Sequence, residues 1–325
     1  LLGSRGLGDV YKRQTTPWTL PGNVGLAVGP DVTYCRVKIT SGPSDSWEGR
    51  GGAEVGEELI LAKDLIGNVL RNHIEVLDEF PGSEIIGKSY NPLFPGAIDG
   101  EGHPSAWTIV GADFVTTTDG TGVVHTAVMY GEDDYSLGME VGFPAQHTVG
   151  MDGKFIEGTH GDIDGKNVKQ CDDIIIDLLE EEGLLYREHS YTHDYPHCWR
   201  TKTPLIYRAT PQWFISMKKN NLIDKTLEKI PEVEWLPAWG KARIEGMISQ
   251  RPDWCISRQR KWGVPITLLI NKKTGEPHSN SSIIFSRICK LVEEHGIEKW
   301  FEIDVDDLID NPEDYEKVQD TLDVW

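Results

Sequence analysis

Two stretches of this chain hold side chains whose types and spacing could do chemistry. The first, Gly120-Thr121-Gly122-Val123-Val124-His125-Thr126-Ala127, sets a backbone-permissive turn ahead of a short apolar strand that ends on a histidine. Gly131-Glu132-Asp133-Asp134-Tyr135 follows, a glycine-started turn with paired carboxylates. Glycine accepts positive φ and lets backbone approach a ligand closely. Histidine can orient or deprotonate water, and a carboxylate can hold an ammonium group. The second stretch lies far upstream. Thr15-Thr16-Pro17-Trp18-Thr19-Leu20-Pro21-Gly22-Asn23 is a hydroxyl-rich loop whose shape two prolines fix. Each stretch also has a plain structural reading. His125 could bond to backbone at a strand end while Asp134 caps the next helix. The threonines could belong to an ordinary Pro-bounded turn, and Trp18 could pack in a core.

Together the two stretches resemble the editing domain of the isoleucyl-tRNA synthetases, a branch of the class I aminoacyl-tRNA synthetases. The resemblance continues in order through Cys198-Trp199-Arg200, Lys202-Thr203-Pro204 and Pro211-Gln212-Trp213-Phe214. It includes Arg251-Pro252-Asp253-Trp254-Cys255-Ile256-Ser257-Arg258-Gln259-Arg260 with Trp262-Gly263, similar to the family's core signature, and ends on Asp320-Thr321-Leu322-Asp323-Val324-Trp325. Leucyl and valyl relatives carry Thr-Thr-Arg-Pro where this chain has Thr15-Thr16-Pro17-Trp18, which favours the isoleucyl branch.

The resemblance implies a fold of class α+β and α/β: a barrel-like α+β editing domain over 15–190, then part of a Rossmann-type synthetase core over 191–325. Residues 1–14 do not fit the family pattern and read as a non-native scar. The resemblance implies that Asp134 holds the α-ammonium of the attached amino acid, with His125, Thr16 and Thr19 as the other catalytic residues. Thr15, Trp18, Asn23, Thr121 and Asp133 would line the substrate site. Arg258, Arg260, Trp262 and Trp325 would belong to the core signature. One departure is Val128-Met129-Tyr130, where relatives have Pro before a small or aromatic residue. The implied partners are the tRNA for isoleucine, isoleucine and valine, with a monomeric full-length enzyme. ATP and magnesium would serve the complete ligase, and editing would need no cofactor. The family's His-Ile-Gly-His and Lys-Met-Ser-Lys-Ser motifs are absent from this sequence, so the chain reads as a fragment that edits without ligating. A noncatalytic tRNA-binding module and a freestanding trans-editing hydrolase are the alternatives.

His189, His193, His197 and Cys198 invite a zinc reading, but Tyr195-Pro196 interrupts any single helix face. Zinc-bearing relatives have Cys where this chain has Thr201, so no metal is expected. Asp162-Ile163-Asp164-Gly165 lacks the downstream ligand spacing of a calcium loop and reads as a turn.

Composition sets outer limits. The 325 residues suffice for two domains with real cores. No apolar run approaches membrane-span length and no signal-peptide pattern opens the chain. Five scattered cysteines argue for a reducing, cytoplasmic setting without a disulfide framework. A net charge of −20 should not attract phosphates generally. Lys241, Arg243, Arg251, Arg258, Arg260 and Lys261, close in sequence, are the local exception, as a solvated face or as base near a substrate.

The elements that would position these residues follow from patterning. Residues 23–39 read as a hairpin about Gly29-Pro30-Asp31. Residues 58–62, 80–93 and 107–115 read as strands, 63–71 as a short helix, and 164–182 as a helix stopped by Gly183. Further on, 204–213 reads as extended, 237–250 and 285–295 as helices, and 266–270 with Lys272-Lys273-Thr274-Gly275 as a hairpin. The acidic 302–319 reads as a solvated surface element.

Overall fold

The computed structural model describes residues 2–3, 16–43, 50–70, 72–118, 120–188, 195–259 and 263–323. Thr15, His189, His193, Arg260, Lys261, Trp262 and Trp325, together with most of the 1–14 segment, lie outside the described residues. The chain divides into two compact units, Leu1–Ala209 and Thr210–Trp325.

The first unit has the mixed α+β character expected from the sequence. Its strands are β1 (Leu2–Gly3), β2 (Gly25–Val28), β3 (Thr33–Pro43), β4 (Glu58–Ala62), β5 (Asn72–Pro81), β6 (Thr108–Gly111) and β7 (Val123–Thr126). The helices are α1 (Ile66–Val69), α2 (Glu132–Val141) and α3 (Asp172–Glu181). One sheet runs β1-β4-β3-β5 and the other β6-β2-β7. β2 pairs parallel with β6 and antiparallel with β7, which sets Leu26 opposite His125.

Residues 23–39 therefore do not form a hairpin, because β2 and β3 lie in different sheets. The Gly29-Pro30 corner carries the chain from one sheet to the other. Gly29 N–H donates to the Tyr34 hydroxyl at 3.1 Å, Val32 N–H to Gly29 O, and Gly82 N–H to Val32 O. Nor does a strand fill 80–93. The strand is β5, Asn72–Pro81, an acidic and mostly exposed run. Its register against β3 slips between Arg36 and Val37, which breaks a simple alternation. The core between the sheets packs Leu26, Val28, Tyr34, Val37, Ile39, Leu59, Leu61, Ile109 and Val123. A second cluster gathers Trp18, Phe94, Ala127, Tyr130, Val149, Phe155, Ile163 and Ile175. The helix in 164–182 starts later than expected, at Asp172, and Gly183 with φ 68° ends it.

In the second unit the strands pair two by two, all antiparallel. They are β8 (Phe214–Ile215) with β9 (Trp254–Cys255), β10 (Ser257–Arg258) with β13 (Thr321–Leu322), and β11 (Leu269–Asn271) with β12 (Tyr315–Lys317). Its helices are α4 (Leu222–Lys229), α5 (Trp239–Ser249), α6 (Ser281–His295) and α7 (Glu298–Glu302). The expected 266–275 hairpin turn forms: Asn271 N–H donates to Glu276 O and His278 N–H to Leu269 O, both at 2.9 Å, around a bridge from Ile270 to Pro277, and β12 also pairs with β11. The acidic 302–319 segment is not simply solvated. Ile303 and Leu308 are buried with Leu269, Ile284, Ile288 and Trp300, and Lys317 Nζ donates to Trp300 O at 2.7 Å and to Ile303 O. No helix of the described residues is long and apolar enough to cross a membrane.

Candidate functional site

The Thr-rich loop folds as a short 3-10 helix, Pro17–Gly22, with Pro17 at its first position, where the missing N–H costs nothing. Thr19 N–H and Thr19 Oγ1 both reach Thr16 O at 3.0 Å. Trp18 points inward. It is 3% exposed, its backbone N–H donates to Asp172 Oδ1 at 3.1 Å, and its ring meets Tyr130 edge-on at 5.2 Å. The structure thus puts Trp18 in the core. Gly22 lets Tyr130 close on the loop, since a Cβ there would come 2.8 Å from the ring.

The turn is tied to β7 through His125, which is 2% exposed. His125 Nε2 lies 3.3 Å from Thr19 Oγ1, and His125 Nδ1 lies 2.8 Å from Asn23 Nδ2. Asn23 is buried too. Its Nδ2 donates to Gly25 O at 3.1 Å, and its Oδ1 accepts from the Tyr90 hydroxyl at 2.6 Å. Burial pushes the Tyr90 phenol well above its ordinary range, with the Asn23 hydrogen bond working the other way. Trp107, at φ 52°, donates Nε1–H to Asn23 O at 3.2 Å and its backbone N–H to Val24 O at 2.7 Å. A bulky residue at positive φ is strained, and here it clamps the two successive carbonyls of Asn23 and Val24.

Asp134 comes to the same end of β7 from the other direction. It sits half-buried in the first turn of α2, where the helix N-terminus favours a carboxylate. Its Oδ2 accepts from Ala127 N–H at 3.3 Å, two residues beyond His125. Gly131 leaves room for it: a Cβ there would lie 3.0 Å from Asp134 Oδ2. The carboxylate is thereby anchored at the end of β7.

Not every expected residue joins this group. Thr121 is buried at the opposite end of β7, between Gly120 and Gly122 at φ 77° and 76°. Its Oγ1 turns back on Val123, and its carbonyl accepts from Ala62 N–H. Asp133 is exposed and lines a separate acidic cleft of about 330 Å³ with Asp113 and Glu140. Sequence reasoning missed Tyr90 and Trp107, and nothing in the local pattern points to them. It also missed Tyr130 as a clamp. That hydroxyl accepts from Thr148 N–H at 2.7 Å and Val149 N–H at 2.9 Å.

In the second unit Arg258 is bound to its surroundings. It donates to Ser257 O at 2.6 Å and Cys255 O at 3.2 Å, and pairs with Asp323. Arg243 and Arg251 come together around an open cleft of about 870 Å³, with Gln250 and Trp254. Among the described residues, no group of three or more His, Cys, Asp or Glu gathers as a metal set. At Cys198 the Thr201 hydroxyl and the Thr201 and Arg200 N–H groups hold the thiol below its ordinary range.

Comparison with known proteins places these features. Residues 12–325 match the family of class I tRNA synthetases (I, L, M and V). An isoleucine–tRNA ligase of Vibrio parahaemolyticus is 41% identical over 99% of this chain and 33% of its own length. That of Vibrio campbellii is 40% identical with the same coverage. The chain spans about a third of the length of these curated relatives. A crystal structure of GlLeuRS-CP1 superposes with TM-score 0.40 at 15% identity, covering 55% of this chain and 82% of that one.

Proposed function

Because this chain belongs to the class I tRNA synthetases of the I, L, M and V group, we propose that its first unit, with the editing domain over 15–190, hydrolyses valine wrongly esterified to the tRNA for isoleucine. The parent activity in this reading is isoleucine–tRNA ligation: isoleucine is activated with ATP and passed to tRNA. Neither ATP-handling motif named above occurs in these 325 residues, so ATP and magnesium are assigned no step here.

The need for such a site is energetic. One methylene in an apolar pocket discriminates by only about 1–3 kcal/mol, a magnitude known from isoleucine against valine in this same family and not obtained from the structure. A second pocket that admits valine and excludes isoleucine supplies the rest. The ester is already activated, so the site must orient a water and stabilise the developing oxyanion. Asp134 holds the α-ammonium, and the half-buried Thr16 and Thr19 form the facing wall and size limit. The buried Cys35 and Cys171 thiols are pushed up by desolvation, which makes them poor nucleophiles, and in this reading water is the attacking group.

One observation carries this reading. Thr19 and Asp134, from distant parts of the sequence, are anchored to the same strand end, through His125 and Ala127. The test is incubation of the purified chain with valyl- and isoleucyl-esters of the tRNA for isoleucine. Faster loss of the valyl ester is expected. Binding of tRNA with hydrolysis of neither ester would replace editing with a noncatalytic binding module.

A further inference from the structure

We infer that Tyr90 and Asn23 are positioning residues that lock the His125 ring with its proton on Nε2. Thr19 then offers only a lone pair to a bound hydrogen-bond donor, the attacking water. The inference rests on the editing reading for its kinetic consequence, and on geometry alone for the lock.

Gly25 sets the orientation of the Asn23 amide. Its carbonyl can only accept, and it lies 3.1 Å from one end of the Asn23 amide, so that end is the NH2 group. The amide oxygen then faces the Tyr90 hydroxyl, which donates to it at 2.6 Å. The second amide proton points to His125 Nδ1 at 2.8 Å, so Nδ1 presents a lone pair. A neutral imidazole with that pattern carries its proton on Nε2, 3.3 Å from Thr19 Oγ1. Thr19's own proton goes to Thr16 O at 3.0 Å. Its oxygen accepts from His125 with one lone pair and keeps the second. Tyr90, Asn23 and His125 are all buried, while Thr19 is half-buried. The polarity set deep in the core is thus delivered at the member of the chain nearest solvent.

Two consequences follow. His125 cannot take a proton from water through Nε2, because that nitrogen already carries one. A protonated Nδ1 would face the Asn23 N–H, held in place by Gly25 and Tyr90. His125 therefore works through Thr19 and is not the general base.

The test is 15N-resolved NMR of the imidazole C–H groups in the full chain. Expected is a pyrrole-type Nε2 and a pyridine-type Nδ1 for His125. The reverse pattern, or one averaged between tautomers, overturns the inference. Asn23→Asp replaces the donor with an acceptor, and its expected signature is a switch to the Nδ1–H tautomer with valyl-tRNA hydrolysis falling roughly tenfold. An unchanged tautomer in that variant also overturns the lock. Should Asn23→Asp not fold, Tyr90→Phe keeps the ring and removes only the hydroxyl. Tautomer mixing is expected there, and a pure Nε2–H state would exclude Tyr90 from the lock. Wild type that shows the expected tautomer yet hydrolyses neither ester would sink the editing reading and leave the lock standing.

Discussion

The two units treat their polar and apolar groups differently, although the second also buries Ser257, Thr267 and Thr321. In the first, Asn23, Thr121, His125, Thr126, Thr148 and Thr159 are buried inside or beside the core. In the second, α4 and α5 bury no residue at all. Leu236, Trp239 and Met247 there are 86%, 64% and 56% exposed. A buried polar group must be hydrogen-bonded or it costs stability, so the first unit's site is fixed by a network that spans several elements. Arg258 in the second unit is held by Ser257 O, Cys255 O and one carboxylate, Asp323. Chemistry that depends on a set direction of hydrogen bonding belongs where the first arrangement exists.

The sharpest way to break that contrast is Asp134→Ala. Loss of the ammonium anchor should lower valyl-tRNA hydrolysis by at least roughly 100-fold. Asp134 is half-buried and its hydrogen bond from Ala127 N–H is long at 3.3 Å, so the melting temperature should change little. Unchanged hydrolysis would take Asp134 out of the site and remove the reason to assign catalysis to this unit.

The next effect is a gain. Thr16→Ala or Thr19→Ala should open the facing wall, so that isoleucyl-tRNA begins to be hydrolysed, while valyl-tRNA hydrolysis falls in Thr19→Ala and falls or stays similar in Thr16→Ala. A gained activity is hard to explain by misfolding. If neither variant touches isoleucyl-tRNA, the size limit lies on the His125 side instead.

What could be read from the sequence follows the same division. His125, Asn23, Thr19 and Asp134 could be singled out because their two motifs together resemble those of the family, whereas spacing alone leaves them a strand end and an ordinary turn. Tyr90 was not, because its bond to Asn23 spans 67 residues and leaves no local periodicity. Trp107 was hidden for the same reason, and of the two readings open for Trp18, ligand platform and core, its burial supports the core. The supposed hairpin over 23–39 had the right turn residues. A turn signal states that the chain reverses and not which sheet receives it, and the Tyr34 and Gly82 contacts decide that. Residues 302–319 misled by composition, since Leu308 and Ile303 are buried among carboxylates that face water.

Stability should show the contrast at intermediate size. The Tyr34 hydroxyl accepts from Gly29 N–H and donates to Gly122 O, both in the buried corner between the sheets, and burial pushes its pKa up to about 12. Tyr34→Phe leaves both backbone groups unpaired and should cost about 1–3 kcal/mol in urea unfolding. Met247→Ser, on exposed α5, should stay within about 0.5 kcal/mol. Equal costs would mean that the second unit uses its apolar surface in a way the burial pattern does not show.

The smallest effect tests whether a charge under the Trp18 turn is a burden. Burial raises the Asp172 carboxyl above its ordinary range, and this outweighs the Trp18 N–H and the Lys169 charge, which lower it. A carboxyl raised in the folded state favours folding while protonated. That contribution is fully present below the unfolded value, near pH 4, and is lost as pH rises through the folded value. At pH 7 the ionised group therefore works against the fold. Asp172→Asn removes the charge and keeps an acceptor for Trp18 N–H. It should raise the melting temperature at pH 7 by on the order of 2 °C and change it less at pH 3, where wild type is protonated as well. A lower melting temperature at pH 7 would show that the carboxylate charge stabilises the α3 N-terminus and the Trp18 turn more than its burial costs.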